Sequence, residues 1–322
     1  MGSNSLYGPL DPAPDAGYVD APPRMGFFTD TSVCIGCKAC EVACKEWNGI
    51  PDDGFNLLGT SYDNTGGLSA NSWRHVAFVE QPGASHAAID ALAEAGRSSS
   101  APSSAPAPPA SGGPQFLGMP GSDLPGRTID APRTDFRWLM MSNVCKHCTH
   151  AGCLDVCPTG ALFRTEFGTV VVQEDICNGC GYCIPACPYG VIDQRKDDGR
   201  AWKCTLCYDR IGDGLTPACA KACPTQSIQY GELDELRDRA QQRVAKLHEQ
   251  GVADARLYGH DPADGVGGDG AFFLLLDEPE VYGLPPDPVV PTKNLPAMWK
   301  RAGLVGVAMA AAVVASFLGG RS

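Results

Sequence analysis

The chain has little positive charge. Its 25 Lys and Arg stand against 37 Asp and Glu, a formal charge of -12 at pH 7, which makes it a poor binder of nucleic acid, whose phosphates must be neutralised by cations. It also lacks the constellations of organic catalysis. No nucleophile with its base, no phosphate-binding loop and no pterin or flavin site can be read in it. Gly265-Val266-Gly267-Gly268-Asp269-Gly270 matches G-x-G-x-x-G by letter. A dinucleotide fingerprint, however, follows a strand and opens a helix, whereas this one follows a polar loop and opens the strand-like Phe272-Phe273-Leu274-Leu275-Leu276. The first 26 residues are rich in Pro, Gly and Asp. They contain neither an apolar h-region nor a twin-arginine pair, so no export signal is expected. Met1-Gly2 opens like a myristoylation site, yet Leu6 stands where that pattern wants Ser or Thr. The acid-base residues are scattered and read as solvated surface.

Cysteine is what the chain has in abundance. The sixteen cysteines are centred on Cys145-x2-Cys148-x4-Cys153-x3-Cys157-Pro158 and Cys177-x2-Cys180-x2-Cys183-x3-Cys187-Pro188. This is the two-cluster ferredoxin pattern, in which three cysteines of a run hold one cubane and the fourth reaches across to the other. The device recurs in split form, with Cys34-x2-Cys37-x2-Cys40-x3-Cys44 upstream and Cys204-x2-Cys207-x11-Cys219-x3-Cys223-Pro224 downstream. Cross-ligation then predicts four sets. Set 1 is Cys34, Cys37, Cys40 and Cys223; set 2 is Cys44, Cys204, Cys207 and Cys219. Set 3 is Cys145, Cys148, Cys153 and Cys187; set 4 is Cys157, Cys177, Cys180 and Cys183. Each set would bind the iron of one 4Fe-4S cluster, and the four clusters would add about -8 to the charge.

Disulfides and zinc are the alternatives. Disulfide frameworks do not fall into groups with x2, x2, x3 spacing, and zinc sites take two Cys pairs per metal rather than a C-x2-C-x2-C-x3-C-P run. His147 and His150 could replace thiolates in a Rieske-like exchange. With sixteen thiolates filling four cubanes, they are expected beside the clusters or at the surface. Fully thiolate-ligated clusters leave no open iron for a substrate, so the pattern implies electron transfer and no catalytic residue.

The expected fold class is α+β: two ferredoxin-like double-cluster 4Fe-4S domains, one contiguous and one split, with long irregular loops and a single C-terminal transmembrane helix. Residues 1–26 read as an irregular extension. The split domain takes 27–80 plus 196–231, and includes strand-like alternation over 73–80. Residues 81–132 collapse into Ala, Ser, Pro and Gly and read as a disordered insert. The contiguous domain takes 133–195, with a hairpin over 161–172 covering its cluster pair. In 232–296, Leu233, Leu236, Ala240, Val244 and Leu247 recur at helical spacing, which predicts a helix and a docking segment. Residues 297–319 read as the anchor: the uncharged run 303–319 would span about 26 Å as a helix, and Trp299, Lys300 and Arg301 suit a lipid interface.

Several stretches carry a resemblance: Cys34-Ile35-Gly36-Cys37-Lys38-Ala39-Cys40, Cys44-Lys45-Glu46-Trp47-Asn48, Trp73-Arg74-His75-Val76, Cys145-Lys146-His147-Cys148 and Cys204-Thr205-Leu206-Cys207-Tyr208-Asp209-Arg210. In these the chain resembles the iron-sulfur (beta) subunit of membrane-associated formate dehydrogenases, within the four-cluster subunits that serve molybdopterin oxidoreductases. The resemblance implies a catalytic alpha subunit with a molybdenum or tungsten pterin, and a membrane gamma subunit of cytochrome b or haem-free quinone-reactive type. It also implies that the split pair faces the catalytic subunit. The alternatives are the equivalent subunit of a dimethyl sulfoxide, polysulfide or nitrate reductase, or an iron-sulfur redox sensor. The nitrate enzyme would lack one of these cysteines, and a sensor would need an effector domain, which is not apparent. The basic residues before the span place the cluster domain on the cytoplasmic side; co-export with the catalytic subunit would place it on the outer face.

Overall fold

The strand Met25–Asp30 sends Phe27 and Phe28 to opposite faces and thereby organises two layers at once. In the computed structural model, which describes residues 11–52, 54, 62–63, 65–81, 137–292 and 295–319, it lies inside a four-stranded sheet. It runs parallel to Ala271–Leu275, with Phe28 opposite Phe272, and antiparallel to Ile228–Glu232. Arg256–Tyr258 forms the far edge. Every residue of Ala271–Leu275 is buried, as a strand covered on both faces requires.

One face of this sheet takes the helix Leu233–Glu249. Phe28 and Phe272 stack with centroids 5.3 Å apart, and Leu274 with Leu233, Leu236, Ala240 and Leu247 completes the apolar layer, Val244 packing at its margin. The helical stripe legible in the sequence is therefore core. The opposite face meets cations. Arg74 lies 5.0 Å from the Phe27 ring centre, and Lys146 Nζ lies 4.7 Å from that of Phe273. Desolvated contacts of this kind contribute about 2 kcal/mol each.

Two expectations of organisation shift here. The segment 232–296, read as a helix and a docking segment, also supplies strands, since Arg256–Tyr258 and Ala271–Leu275 share a sheet with Met25–Asp30 and Ile228–Glu232. The chain is not irregular up to residue 26: Met25 and Gly26 already pair with Glu232 and Gly231, and the Tyr18 hydroxyl donates to the Arg164 carbonyl at 3.1 Å. The strand read over 73–80 spans Arg74–Gln81 and pairs with Arg137–Val144. The expected hairpin forms between Leu162–Arg164 and Val170–Val172. The insert 81–132 lies, beyond Gln81, outside the described residues. The chain divides into two compact units, Met1–Val79 with Met140–Ser322, and Glu80–Leu139; the cysteines all belong to the first.

The helix Leu295–Gly319 closes the described chain. Its stretch Ala297–Leu318 has a mean hydropathy of 1.9, and none of it is buried in the protein. It is long and apolar enough to cross a bilayer.

Candidate metal centres

The loops that present the cysteines are built from two repeated turns. In the first Cys-x2-Cys of each of the four runs the residue before the second cysteine is left-handed: Gly36 (φ 65°), His147 (φ 47°), Gly179 (φ 71°) and Leu206 (φ 59°). For His147 and Leu206 that conformation costs about 1–2 kcal/mol each. Both are buried, and His147 is tied down by accepting the Val170 N–H on Nδ1 at 3.2 Å. The second turn follows each Cys-Pro. Gly160, Gly190 and Gln226 take φ of 69°, 60° and 54°, and their N–H groups donate to the carbonyls of Cys157, Cys187 and Cys223 at 3.4, 3.2 and 3.3 Å. The backbone then folds over the sulfur. N–H groups of residues 159, 161 and 162 all stabilise the Cys157 thiolate, and those of 189, 191 and 192 do the same for Cys187.

These turns gather the thiols around small cavities. Cys34, Cys37, Cys40 and Cys223 line one cavity. Cys145, Cys148, Cys153 and Cys187 line a second, and Cys157, Cys177, Cys180 and Cys183 a third. The remaining four, Cys44, Cys204, Cys207 and Cys219, meet where the helix Ala39–Asn48 packs against the downstream run. There Trp47 Nε1 donates to Asp209 at 2.8 Å, and the Arg210 guanidinium lies 4.2 Å from the Trp47 ring centre. Burial raises the Cys44 thiol, and repulsion from Cys204, Cys219 and Cys207 raises it further.

The donor set fits clusters rather than single ions. All sixteen cysteines are free thiols. Structural zinc wants four donors about 2.0–2.3 Å from one point, and among the described residues no three His, Cys, Asp or Glu side chains are placed to share an ion. The fours surround space instead, as a body of several atoms requires. Burial pushes the thiols of Cys40, Cys153, Cys204 and Cys207 up to about 11, 12, 12 and 11. Iron is what holds such groups as thiolates at neutral pH.

Thiols of different sets also repel one another: Cys219 raises Cys40, Cys145 raises Cys204, and Cys183 raises Cys153. Cys37 and Cys180 are the exposed cysteines.

Charges that the sequence placed at the surface are found among these thiols. Arg74, Lys146, Lys203 and Asp269 are buried. Lys203 Nζ donates to the Cys204 carbonyl at 3.0 Å and its charge favours the Cys153 thiolate. Burial holds Lys146 below its ordinary pKa and Asp269 above its own, each opposed by the other's charge; Asp269 also accepts from the Tyr189 hydroxyl at 2.8 Å. A sequence signal existed for two of them, since Lys146 and Lys203 each adjoin a ligating cysteine. For Arg74 only strand alternation with buried Val76 pointed inward. His147 is buried rather than at the surface. The G-x-G-x-x-G string has a packing role: the Thr149 and His150 N–H groups donate to the carbonyls of Gly268 and Val266 at 3.0 and 2.7 Å, and a Cβ on Gly267 would lie 2.4 Å from the His150 ring.

Four groups of free thiols at ferredoxin spacing are those of an iron-sulfur electron carrier. Two family models, each described as a 4Fe-4S dicluster domain, match residues 33–161 and 136–233. The chain is 36% identical over 294 residues to the nitrate-inducible formate dehydrogenase iron-sulfur subunit of Escherichia coli K12, covering 90% of this chain and 81% of that one. It is 36% identical over 285 residues to the formate dehydrogenase iron-sulfur subunit of Haemophilus influenzae (87% and 74%), and 32% identical over 217 residues to a subunit of the anaerobic dimethyl sulfoxide reductase of Escherichia coli K12 (67% and 77%). The chain belongs to the family of formate dehydrogenase iron-sulfur subunits, carries four 4Fe-4S clusters and transfers electrons.

Proposed function

We propose that this chain carries electrons from the molybdenum or tungsten pterin subunit of a formate dehydrogenase to a quinone-reducing membrane subunit of cytochrome b or haem-free type. The observation that carries this is the 36% identity to a formate dehydrogenase iron-sulfur subunit over 90% of the chain; the mutual repulsion of thiols in different sets and the exposure of Cys37 and Cys180 agree with a path through all four. When bound, the clusters supply reversible one-electron storage at each set. The ligand sets are those that cross-ligation predicts, and three of them coincide with the thiols lining one cavity each. Set 1 with set 2 makes the split domain, 27–80 plus 196–231. Set 3 with set 4 makes the contiguous domain, 133–195.

The direction of the path follows from the root of the terminal helix. Just before it, Val290 packs so close to Gly152 that a Cβ there would lie 2.9 Å from Val290 Cγ1, and the Thr292 hydroxyl donates to Asp155. The helix thus leaves from beside sets 3 and 4. The central pair accordingly faces the membrane subunit and the split pair the catalytic subunit. Residues 297–319 anchor the chain in the membrane, and Lys300 with Arg301 before the span favours the cytoplasmic side for the cluster domain. The test is anaerobic purification of the full chain from membranes. A copurifying pterin subunit and reduction of the clusters by formate are expected. Clusters inert to formate but reoxidised by dimethyl sulfoxide would assign the chain to a reductase instead.

A further inference from the structure

Arg74 is buried and is the largest of the fully enclosed side chains. Its Nη1 donates to Ser142 Oγ at 2.9 Å and to the Ser142 carbonyl at 3.4 Å, and Ser142 Oγ lies 3.2 Å from Cys40 Sγ. Among the described residues Nε and Nη2 have no hydrogen-bond partner. Among the described residues no carboxylate forms an ion pair with it. An enclosed cation without a counter-charge is costly, so what surrounds it has to supply one. Desolvation alone would depress its pKa, yet the thiolates of Cys219, Cys40, Cys204 and Cys44 together lift it above the ordinary value. Cys40 belongs to set 1; the other three belong to set 2.

We propose that Arg74 is the electrostatic junction between sets 1 and 2: its fixed charge raises the reduction potential of both clusters and offsets their mutual repulsion when either takes an electron. The inference rests on the ligand sets given above. A cubane of core charge about 2+ on four thiolates carries a net charge of about -2, and one electron makes it about -3. A buried cation beside two such bodies favours the reduced form of each. Guanidinium is suited to the task because it does not lose its proton. Its two donors without a partner among the described residues can also serve sulfur, and hydrogen bonds to cluster sulfurs shift the potential in the same direction. The strand position explains how the charge is held: Arg74 and Val76 share the buried face of Arg74–Gln81, and Val76 lines the set 1 cavity.

The experiment is a potentiometric titration of the iron-loaded full chain, followed by electron paramagnetic resonance, in the wild type, Arg74→Gln and Arg74→Lys. The signals of sets 1 and 2 are identified by their loss in Cys37→Ser and Cys207→Ser, those of sets 3 and 4 by their loss in Cys148→Ser and Cys180→Ser. Arg74→Gln is expected to lower the reduction equilibrium constant of both split-pair clusters at least tenfold, about 59 mV for a one-electron couple, and to leave the central pair in place. Arg74→Lys should recover most of that shift. Unmoved split-pair potentials in Arg74→Gln, an equal shift of the central pair, or a Lys variant displaced as far as the Gln variant would each overturn the proposal. If Arg74→Gln loses iron, the Lys variant decides: loading with near-wild-type potentials supports the charge, and loss of iron in both marks a merely structural residue. A Cys37→Ser change that abolished central-pair signals would instead fault the ligand sets and leave the role of Arg74 distinguishable from them.

Discussion

Placing one negative charge at the middle of the terminal helix should detach the chain from the membrane when it is made without partners. Ala297–Leu318 exposes seven Leu, Val and Phe residues, Leu304, Val305, Val307, Val313, Val314, Phe317 and Leu318, and buries none of them in the protein. At about -0.3 to -0.6 kcal/mol each, they favour insertion by only about 2–4 kcal/mol, and Asp at a helix centre costs about 2.5–3.5 kcal/mol. Val307 sits at the midpoint of the span. Val307→Asp therefore shifts the balance by about 3–4 kcal/mol, which is about 100- to 1000-fold in partition, and cancels the gain. The assay is the fraction of chain left in carbonate-washed membranes, with Val19→Asp as a control at a site 88% exposed and far from the span in sequence. A Val307→Asp chain that sediments with membranes as fully as the wild type would refute insertion as the basis of anchoring.

Three further outcomes are expected. Cys187→Ser should disturb the cluster held by Cys145, Cys148 and Cys153, and spectra in which the Cys177, Cys180 and Cys183 cluster changes instead would show the cross-ligation to be wrong. Deleting residues 90–125 should leave iron content and electron transfer intact, because so Ala-, Ser- and Pro-rich a stretch contributes little core; loss of all four clusters would make it structural. Gly267→Ala combines a left-handed backbone (φ 76°) with a 2.4 Å approach to the His150 ring, and should cost about 2–4 kcal/mol. Its signature is earlier thermal loss of the set 3 cluster, and a melting curve identical to wild type would count against the packing role of this loop.

What the sequence disclosed follows from the range of the interactions. Cys-x2-Cys spacing and the stripe through Leu233, Leu236 and Ala240 are local periodicities, and both are found where they were read. The pairing of Met25–Asp30 with Ala271–Leu275 is parallel and distant. Alternation announces a strand but not its neighbour, so the segment 232–296 read as a helix and a docking segment. The inward charges were hidden for a related reason. A lone Arg or Lys normally signals solvent, whereas Lys146 is inside with Asp269, and Arg74 and Lys203 are inside beside ligating thiols. Lys146 beside Cys145 and Lys203 beside Cys204 could have been suspected on that ground. The left-handed His147 could not, since glycine holds the equivalent place in two of the other three loops.

The distance in sequence between thiols that share a cavity has a consequence for biogenesis. Cys34 and Cys223 line the same space, yet they leave the ribosome roughly 10–40 s apart at about 5–20 residues per second. Set 3, from Cys145 to Cys187, is complete within roughly 2–8 s at the same pace. The inner domain can thus receive its iron while the outer one still waits with four solitary upstream cysteines, and the strand Ala271–Leu275 that seats Met25–Asp30 emerges later still. Synthesis thus completes the ligand sets from the middle of the chain outward. The delivery machinery must therefore either guard Cys34, Cys37, Cys40 and Cys44 in the interval or return to them once synthesis is done.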